Sequence, residues 1–255
     1  MIFYDPRTVA LSLTGIHCEL MCSHCKGHYL KTMQSPKQVL SQKSFEAKSF
    51  LISGGFTKEG YLPLAENKEL LLEFKNAKLN VHPGFLRSED LLVLKELDAV
   101  VSFDFTQDQK VIQEIYHLPY SPDDYLLQYE TLIKTGLKVV PHICLGLGSF
   151  DEKTLASLVN LNPEKVVLLI FRPTKQTPLQ NKAVPAICDL KKLWLKFRNA
   201  YSGKIILGCM RPGGIYRLQV DSLALEIGFD GIVKPSPALK AKLGEVKTFK
   251  QCCAF

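Results

Sequence analysis

The chain has 255 residues, of which 46% are hydrophobic and 22% are charged, and its formal net charge is +7. This length and composition predict a globular protein with a sizeable buried core, and they exclude a disordered or low-complexity chain. The basic residues are dispersed and form no stripe with interleaved aromatic residues, so we expect no nucleic-acid partner.

Neither the N-terminal segment nor any other stretch has the pattern of a signal peptide or of a membrane span, which needs ~20 apolar residues. We therefore expect a cytoplasmic protein with no membrane partner. Its eight cysteines should be reduced in that compartment, where metal ligands or core residues are commoner than disulfides.

A pattern recurs along the chain: a short apolar, β-branched run ends in Gly, Pro or a polar residue, and a longer amphipathic stretch follows. The runs predict about eight strands, at residues 8–15, 49–55, 79–85, 99–105, 138–146, 165–171, 204–210 and 231–236. The stretches between them predict helices, among them 88–97 with Ser88 as N-cap, 121–136 with Ser121 as N-cap, and 151–161.

Strands that alternate with helices indicate βαβ units and a parallel sheet. Eight such repeats in this length favour an α/β fold with a single (β/α)8 TIM-type barrel, and an open doubly wound sheet is the alternative. We assign residues 1–238 to the barrel and residues 239–255 to a short C-terminal tail that offers candidate cluster ligands.

Chemistry in such barrels takes place at the C-terminal ends of the strands. A polar or sulfur-containing residue lies at each of these ends in the predicted strands. These residues are the three cysteines after the first strand, then Ser53, His82, Asp104, His142 with Cys144, Arg172, Cys209 with Arg211, and Lys234.

Three cysteines follow the first predicted strand with the spacing Cys18-x3-Cys22-x2-Cys25. Thiolates bind soft metals, and three on one loop suit a cubane iron–sulfur cluster in which one iron has no protein ligand. Two alternatives remain at this stage. A structural zinc site could include His28 as a fourth ligand, or the cysteines could be unliganded core residues.

The segment CELMCSHC at residues 18–25 resembles the signature of radical S-adenosylmethionine (SAM) enzymes. The resemblance implies a 4Fe–4S cluster on Cys18, Cys22 and Cys25 whose open iron binds SAM. Reduction then splits SAM, and the resulting 5′-deoxyadenosyl radical abstracts a hydrogen atom from the substrate.

Other positions are similar to the SAM-binding elements of that family. The resemblance implies that His24 packs on adenine, that the backbone of Ser53, Gly54 and Gly55 receives the methionine ammonium, and that Asp104 binds ribose. Phe56 stands where the family has an acid. The stretches 141–146 and 172–179 resemble the fifth- and sixth-strand elements, which adds Ile143, Gly146 and Thr177 as candidate cofactor-binding residues.

Residues 18–33, 141–148 and 208–214 are together similar to the two-subunit lipoyl synthases of archaeal type, within the biotin-synthase-like group. This resemblance implies sulfur insertion into an octanoyl group on the lysine of a carrier protein, with a second radical SAM subunit as partner. Cys209, Cys252 and Cys253 are then candidate ligands of an auxiliary iron–sulfur cluster that donates sulfide.

Other interpretations of these features stay open. Cys209 could be a core cysteine beside a frayed tail pair, the enzyme could be a mutase or synthase without sulfur insertion, or the chain could be a zinc-binding, non-enzymatic barrel. Arg211 and Lys234 are interpreted as carboxylate-binding residues or as members of rim ion pairs.

The remaining histidine and cysteine candidates are expected to be structural residues of the barrel wall or of the core. His82 and His142 are expected to be hydrogen-bonded wall residues, and Cys144 and Cys188 are expected in the core. The basic surface suits an acidic flavodoxin or ferredoxin as electron donor.

Overall fold

The computed structural model describes residues 1–42, 47–149 and 151–255. The strands are β1 (Ile2–Tyr4), β2 (Val9–Ser12), β3 (Ser49–Ser53), β4 (Lys78–Val81), β5 (Val100–Asp104), β6 (Lys138–Leu145), β7 (Lys165–Ile170), β8 (Lys204–Leu207), β9 (Gly231–Val233) and β10 (Thr248–Phe249). The helices are α1 (Pro36–Leu40), α2 (Lys68–Leu72), α3 (Ser88–Glu96), α4 (Pro122–Lys134), α5 (Asp151–Leu161), α6 (Ile187–Ala200), α7 (Gly214–Ile227) and α8 (Pro237–Leu243).

All strands pair in parallel, in the order β10-β1-β9-β8-β7-β6-β5-β4-β3-β2, and form one curled sheet covered by helices. The predicted α/β barrel-type fold is therefore confirmed. The eight predicted strands are β2–β9. The short strands β1 and β10 were not predicted because two or three residues carry no recognisable alternation. The hydrogen-bonded ladder runs from β2 at one edge to β10 at the other.

The sheet packs on both of its faces, as parallel sheets require. Phe50 and Ile52 of β3 are fully buried in the layer between strands and helices, together with Trp194 of α6. On other strands, Val100, Val140 and Val167 belong to a separate buried cluster that fills the lower barrel.

The predicted helices are present, with one corrected cap. Ser121 caps α4, since its side chain accepts from the backbone N–H of Asp124. At α3 the cap is Arg87 and not Ser88, which is the first helical residue. The guanidinium of Arg87 holds the buried carboxylate of Asp90, with 2.8 Å between Nε and Oδ2.

The C-terminal tail is ordered and crosses the N-terminal end of the barrel. The strand β10 pairs with β1, in the register Phe3↔Thr248 and Tyr4↔Phe249. The chain then turns inward, and Lys165 Nζ donates to the carbonyl oxygens of Cys253 at 3.0 Å, Ala254 at 3.4 Å and Phe255 at 2.7 Å. Because Lys165 is the first residue of β7, the tail closes the floor of the barrel.

None of the helices in the described ranges is both long enough and apolar enough to cross a membrane.

Candidate functional site

The loop that carries the three cysteines follows β2 and lies over the C-terminal end of the barrel. Three other loops hold its backbone. Glu19 N donates to Phe56 O at 2.9 Å, Ser23 N donates to Ile115 O at 2.8 Å, and Leu179 N donates to Ser23 O at 3.4 Å. These contacts come from the segments after β3, β5 and β7, so the barrel itself sets the position of the loop.

The thiols face one another beneath this loop. The ligand atoms of Cys22, His24 and Cys25 all lie within 4.8 Å of one another. A hydrogen bond from the Cys22 thiol lowers the pKa of Cys25, and the same contact, together with burial, raises the pKa of Cys22. Cys18 lines the same cavity, although its sulfur is not part of this compact set.

This arrangement fits an iron–sulfur cluster. In a cubane each thiolate binds a different iron, so one thiol can stand apart from the others. Nδ1 of His24 is buried and has no hydrogen-bond partner among the described residues, which leaves a polar atom for a bound group. His28, the candidate zinc ligand, is exposed and does not join the compact set.

Gly55 joins the end of β3 to the cysteine loop. A Cβ at this position would lie 1.8 Å from the carbonyl oxygen of His17 and 2.5 Å from Cα of Cys18. Only glycine permits this approach. The backbone N–H of Gly55 is taken by Thr14 Oγ1 at 2.7 Å. Gly54 and Ser53, in contrast, line the cavity below the loop.

That cavity combines the cysteine loop with mostly apolar walls. Asp104 is the only acidic residue in its described lining, which includes neither Lys nor Arg. The described apolar and aromatic side chains of the lining are Leu20, Tyr29, Leu30, Met33, Phe56, Phe85, Phe103, Tyr116, Leu118, Tyr125, Leu169 and Met210. These apolar walls can therefore exclude water from around an uncharged ligand.

A chain of polar contacts crosses the cavity wall from β3 to β5. His82 Nε2 lies 2.9 Å from Asp104 Oδ2, and His82 Nδ1 lies 3.5 Å from Ser53 Oγ. Burial alone would lower the pKa of His82, but the carboxylate of Asp104 outweighs it and raises that pKa. Burial likewise opposes ionisation of Asp104, yet His82 holds its pKa below the usual value.

His142 sits opposite Asp104 in the β5–β6 register. Its Nδ1 donates to the carbonyl of Val140 at 2.9 Å, and burial lowers its pKa to about 4. The ring therefore stays neutral at physiological pH. Both His82 and His142 are hydrogen-bonded, as predicted from the sequence, but only His82 of the two lines the cavity.

Four predicted cofactor-binding residues do not line the cavity, namely Gly55 and the three that follow. Ile143 is 2% exposed and packs in the core between strands and helices. Gly146, at φ 85°, donates its N–H to Asp151 Oδ2 at 2.8 Å. Thr177 is buried and donates to Thr174 O at 2.7 Å. His24, Ser53, Gly54 and Asp104, by contrast, are brought together there.

Arg211 has a structural role. Its Nε lies 2.7 Å from Asp221 Oδ1, and both side chains are fully buried. The remaining guanidinium nitrogens donate to the carbonyl oxygens of Gly208 and Val233. The ion-pair interpretation is thus the right one, because the side chain is fully buried and each of its three nitrogens already donates within the fold. Lys234 is exposed.

The other cysteines fall into two groups. Cys209 is exposed, Cys252 is half-buried and Cys253 is buried. No compact ligand set among the described residues includes any of these three thiols. Cys188 is exposed on α6, which corrects its assignment to the core, and Cys144 is half-buried on β6.

Two residues that position the cysteine loop have no sequence signature. His117 places Nδ1 2.9 Å from Leu20 O and Nε2 3.0 Å from Ser23 Oγ. Thr14 donates to His17 O and accepts from Gly55. Neither belongs to a motif, since the contacts of His117 join residues more than ninety positions apart, so only the folded chain shows their role.

No family model and no curated protein matches the chain. Solved structures do match. HydG, a maturase of the FeFe-hydrogenase, has a TM-score of 0.65 at 14% identity, over 91% of this chain and 56% of that one. The chain thus spans little more than half of HydG.

Two further matches extend the comparison. Methylornithine synthase (PylB) has a TM-score of 0.60 at 16% identity, over 91% and 73% of the two chains. Coproporphyrinogen III oxidase (HemN) from Escherichia coli, described as a radical SAM enzyme, has a TM-score of 0.53 at 14% identity, over 77% and 53%. The chain has the fold of these proteins.

Proposed function

We propose that the chain is a radical SAM enzyme. The observation that carries the proposal is the loop of three thiols, fixed over a largely apolar cavity at the C-terminal end of a barrel whose fold is shared with a radical SAM enzyme. Cys18, Cys22 and Cys25 would hold a 4Fe–4S cluster. When bound, that cluster supplies the electron that splits SAM into methionine and a 5′-deoxyadenosyl radical.

The residues of the chain would bind and orient the reactants and exclude water from the cavity. Tyr116 packs edge-on against His24 at 5.5 Å between ring centroids, which fixes the plane of the imidazole beside the thiols. Ser53, Gly54 and Asp104 supply further polar groups of the cavity lining. The apolar walls keep water away from a carbon radical, so the enclosed geometry determines which hydrogen is taken.

We further propose that the reaction is sulfur insertion. Cys209, Cys252 and Cys253 would hold an auxiliary cluster that would supply the sulfide and take up the electron released when the C–S bond forms, and the displaced hydrogen atom would leave in 5′-deoxyadenosine. Support comes from their placement, since the tail brings Cys252 to 3.4 Å from Asn80 on β4, inside the same barrel. Asn80 lies two residues before the cavity residue His82 on the same face of the strand.

The cavity lining supports an uncharged, tethered substrate. A free amino acid or fatty acid needs a cationic partner for its carboxylate, and no Lys or Arg occurs in the described lining. An octanoyl chain in amide linkage to a carrier lysine needs none. We therefore propose lipoyl synthesis on an octanoylated carrier protein, with a second radical SAM subunit as partner, over a mutase that acts on a charged amino acid.

The test is anaerobic reconstitution, followed by Mössbauer spectroscopy and a 5′-deoxyadenosine assay with an octanoyl-lysyl peptide. About four irons per chain would correspond to one cluster, and distinctly more would support the auxiliary cluster. Cys209→Ala should spare SAM cleavage and stop formation of thiolated product. Thiolated product from Cys209→Ala would exclude the sulfur-donor role, and a colourless zinc protein would exclude radical chemistry altogether.

A further inference from the structure

A second cavity, of about 570 Å³, opens at the N-terminal end of the barrel. It lies among the segments that lead into β4, β5, β6 and β7, and the tail lines one side of it through Ala254 and Phe255. It shares no described lining residue with the cavity beneath the cysteine loop. We call it the lower cavity. Its volume falls within the range of small-molecule sites, which is roughly 300–1,000 Å³.

The lower cavity is lined by four lysines that lack carboxylate partners. None of them forms an ion pair with any described residue. These lysines are Lys75, Lys78, Lys138 and Lys165. Lys165 is committed to the tail, because its Nζ donates to three carbonyl oxygens there. The other three lysines therefore remain for a ligand.

The acids of the described lining are Asp98 and Glu164. Glu164 already faces a cation outside the lining, since its Oε1 lies 3.6 Å from Nζ of Lys204. The three remaining ammonium groups thus face the single carboxylate of Asp98, which leaves an excess of two positive charges. An anionic ligand would balance this excess.

The barrel places two of these lysines on either side of one strand. Lys78 and Lys138 are the first residues of β4 and β6, and β5 lies between those strands. Neighbouring strands are ~4.8 Å apart, so β4 and β6 are roughly 10 Å apart, and two lysine side chains can converge on one group between them. Val100 of β5, which pairs in register with Lys138, is buried beneath this position.

A buried phenol faces the same space. Tyr129 on α4 is 2% exposed and lines the lower cavity. Its hydroxyl makes no hydrogen bond with any described residue and is not one of the fully enclosed unpaired atoms, so it opens onto the cavity. Burial raises the pKa of Tyr129 to about 12, and the hydroxyl therefore stays protonated at neutral pH. An unpaired buried donor of this kind points to an acceptor on a ligand.

Apolar side chains form much of the remaining wall. Leu79 and Val140 are buried, whereas Ile133 on α4 is 46% exposed. A ligand with an apolar body would cover Ile133 and gain from the burial.

We propose that the lower cavity binds a phosphate monoester that carries an apolar group. Such an ester bears a charge of roughly −1.5 to −2 at neutral pH, which matches the excess left by the lysines over Asp98. Its oxygens accept hydrogen bonds from the ammonium groups and from the hydroxyl of Tyr129. The apolar group lies against Leu79 and Ile133. The site does not depend on the proposed function, since it needs neither a cluster nor SAM.

The probe is octyl phosphate below its micelle concentration, and isothermal titration calorimetry on the full chain measures its binding. Octanoate and 1-octanol are compared with it, because they keep the apolar group and replace the phosphate by a carboxylate or a hydroxyl. The charge variant is Lys75→Gln with Lys138→Gln, and the hydroxyl variant is Tyr129→Phe. The matched control is Lys153→Gln with Lys192→Gln, which removes two exposed cations on α5 and α6.

We expect the charge variant to bind octyl phosphate at least about tenfold more weakly, and Tyr129→Phe about three- to tenfold more weakly, because charge-assisted hydrogen bonds are lost. The control should bind like wild type, and octanoate and 1-octanol should bind wild type progressively more weakly. The charge variant alters only exposed side chains, so its result stands even if Tyr129→Phe unfolds.

Three outcomes would overturn the site. They are no binding of octyl phosphate to the wild-type chain, equal affinity for the three probes, and an equal loss of affinity in the charge variant and the control. None of these measurements requires iron, so failure here is distinct from failure of the proposed radical chemistry.

Discussion

His82 and Asp104 form an ion pair across β4 and β5, with 2.9 Å between Nε2 and Oδ2, on the wall of the cavity beneath the cysteine loop. The pair neutralises the only acidic residue in the described lining of that cavity. Since the pKa of His82 is raised and that of Asp104 is lowered, the stability that the pair contributes depends on pH.

The first prediction concerns His82→Gln. The contribution of His82 is fully present below the usual histidine pKa of about 6.5 and is lost as pH rises through the raised folded value. The contribution of Asp104 is present above its usual pKa of about 3.9 and is lost as pH falls through its lowered value. Urea unfolding should therefore show His82→Gln to be less stable by about 1 kcal/mol near pH 6 and by less near pH 9.

His142→Gln serves as the control, because the stability contributed by His142 should change with pH in the opposite direction. The folded pKa of His142 is depressed to about 4, so wild-type stability should fall as pH drops below the usual histidine value, and this variant should lose that dependence. A His82→Gln effect that grows toward pH 9 would contradict the pairing with Asp104.

The second prediction concerns Gly55. In Gly55→Ala the new methyl group would meet the carbonyl of His17 and the backbone of Cys18, so the cysteine loop must shift. We expect a loss of roughly 1–3 kcal/mol in unfolding free energy and a marked loss of bound iron after reconstitution, with an unchanged far-ultraviolet spectrum. Gly213→Ala, where no atom lies within 4 Å of the new Cβ, should keep its iron. Equal iron content in the two variants would contradict this role.

The third prediction concerns the buried pair of Arg211 and Asp221. Arg211→Met leaves Asp221 as an uncompensated buried charge and should lower the unfolding free energy by about 3–5 kcal/mol. The double variant Arg211→Met with Asp221→Leu should recover part of that loss, although the bond from Ser236 N to Asp221 is also removed. Denaturant titration tests both. A stable Arg211→Met with impaired substrate binding would point to recognition instead.

The fourth prediction concerns the three loop cysteines. Changing Cys18, Cys22 or Cys25 to Ala removes one ligand of the proposed cluster, so iron content and 5′-deoxyadenosine formation should both fall to background. Colorimetric iron and sulfide assays, with chromatography of the nucleoside product, provide the measurement. Cys188→Ala is the matched control, since this thiol is exposed on α6 and lies outside the cysteine loop. Full activity in any loop variant would exclude the three-thiol cluster.

The sequence predicted β2–β9 because each of these strands is a run of apolar, mostly β-branched residues between turn signals. It also indicated the cysteine loop, because the spacing Cys18-x3-Cys22-x2-Cys25 can be recognised without any knowledge of the fold. It could not show that Ile143 packs away from the cavity, because the face on which a strand residue lies depends on register. The partners of Arg211 and the contacts of His117 with Leu20 and Ser23 join distant segments, and no local pattern encodes them.

The tail that Lys165 holds across the barrel covers the end opposite to the cysteine loop. Cys253 and Ala254 pack there with Val100, Val140 and Val167. The cavity beside Cys18 and Cys22 lies at the other end, so the two ends of one barrel serve different purposes: one carries the chemistry, and the other anchors the end of the polypeptide.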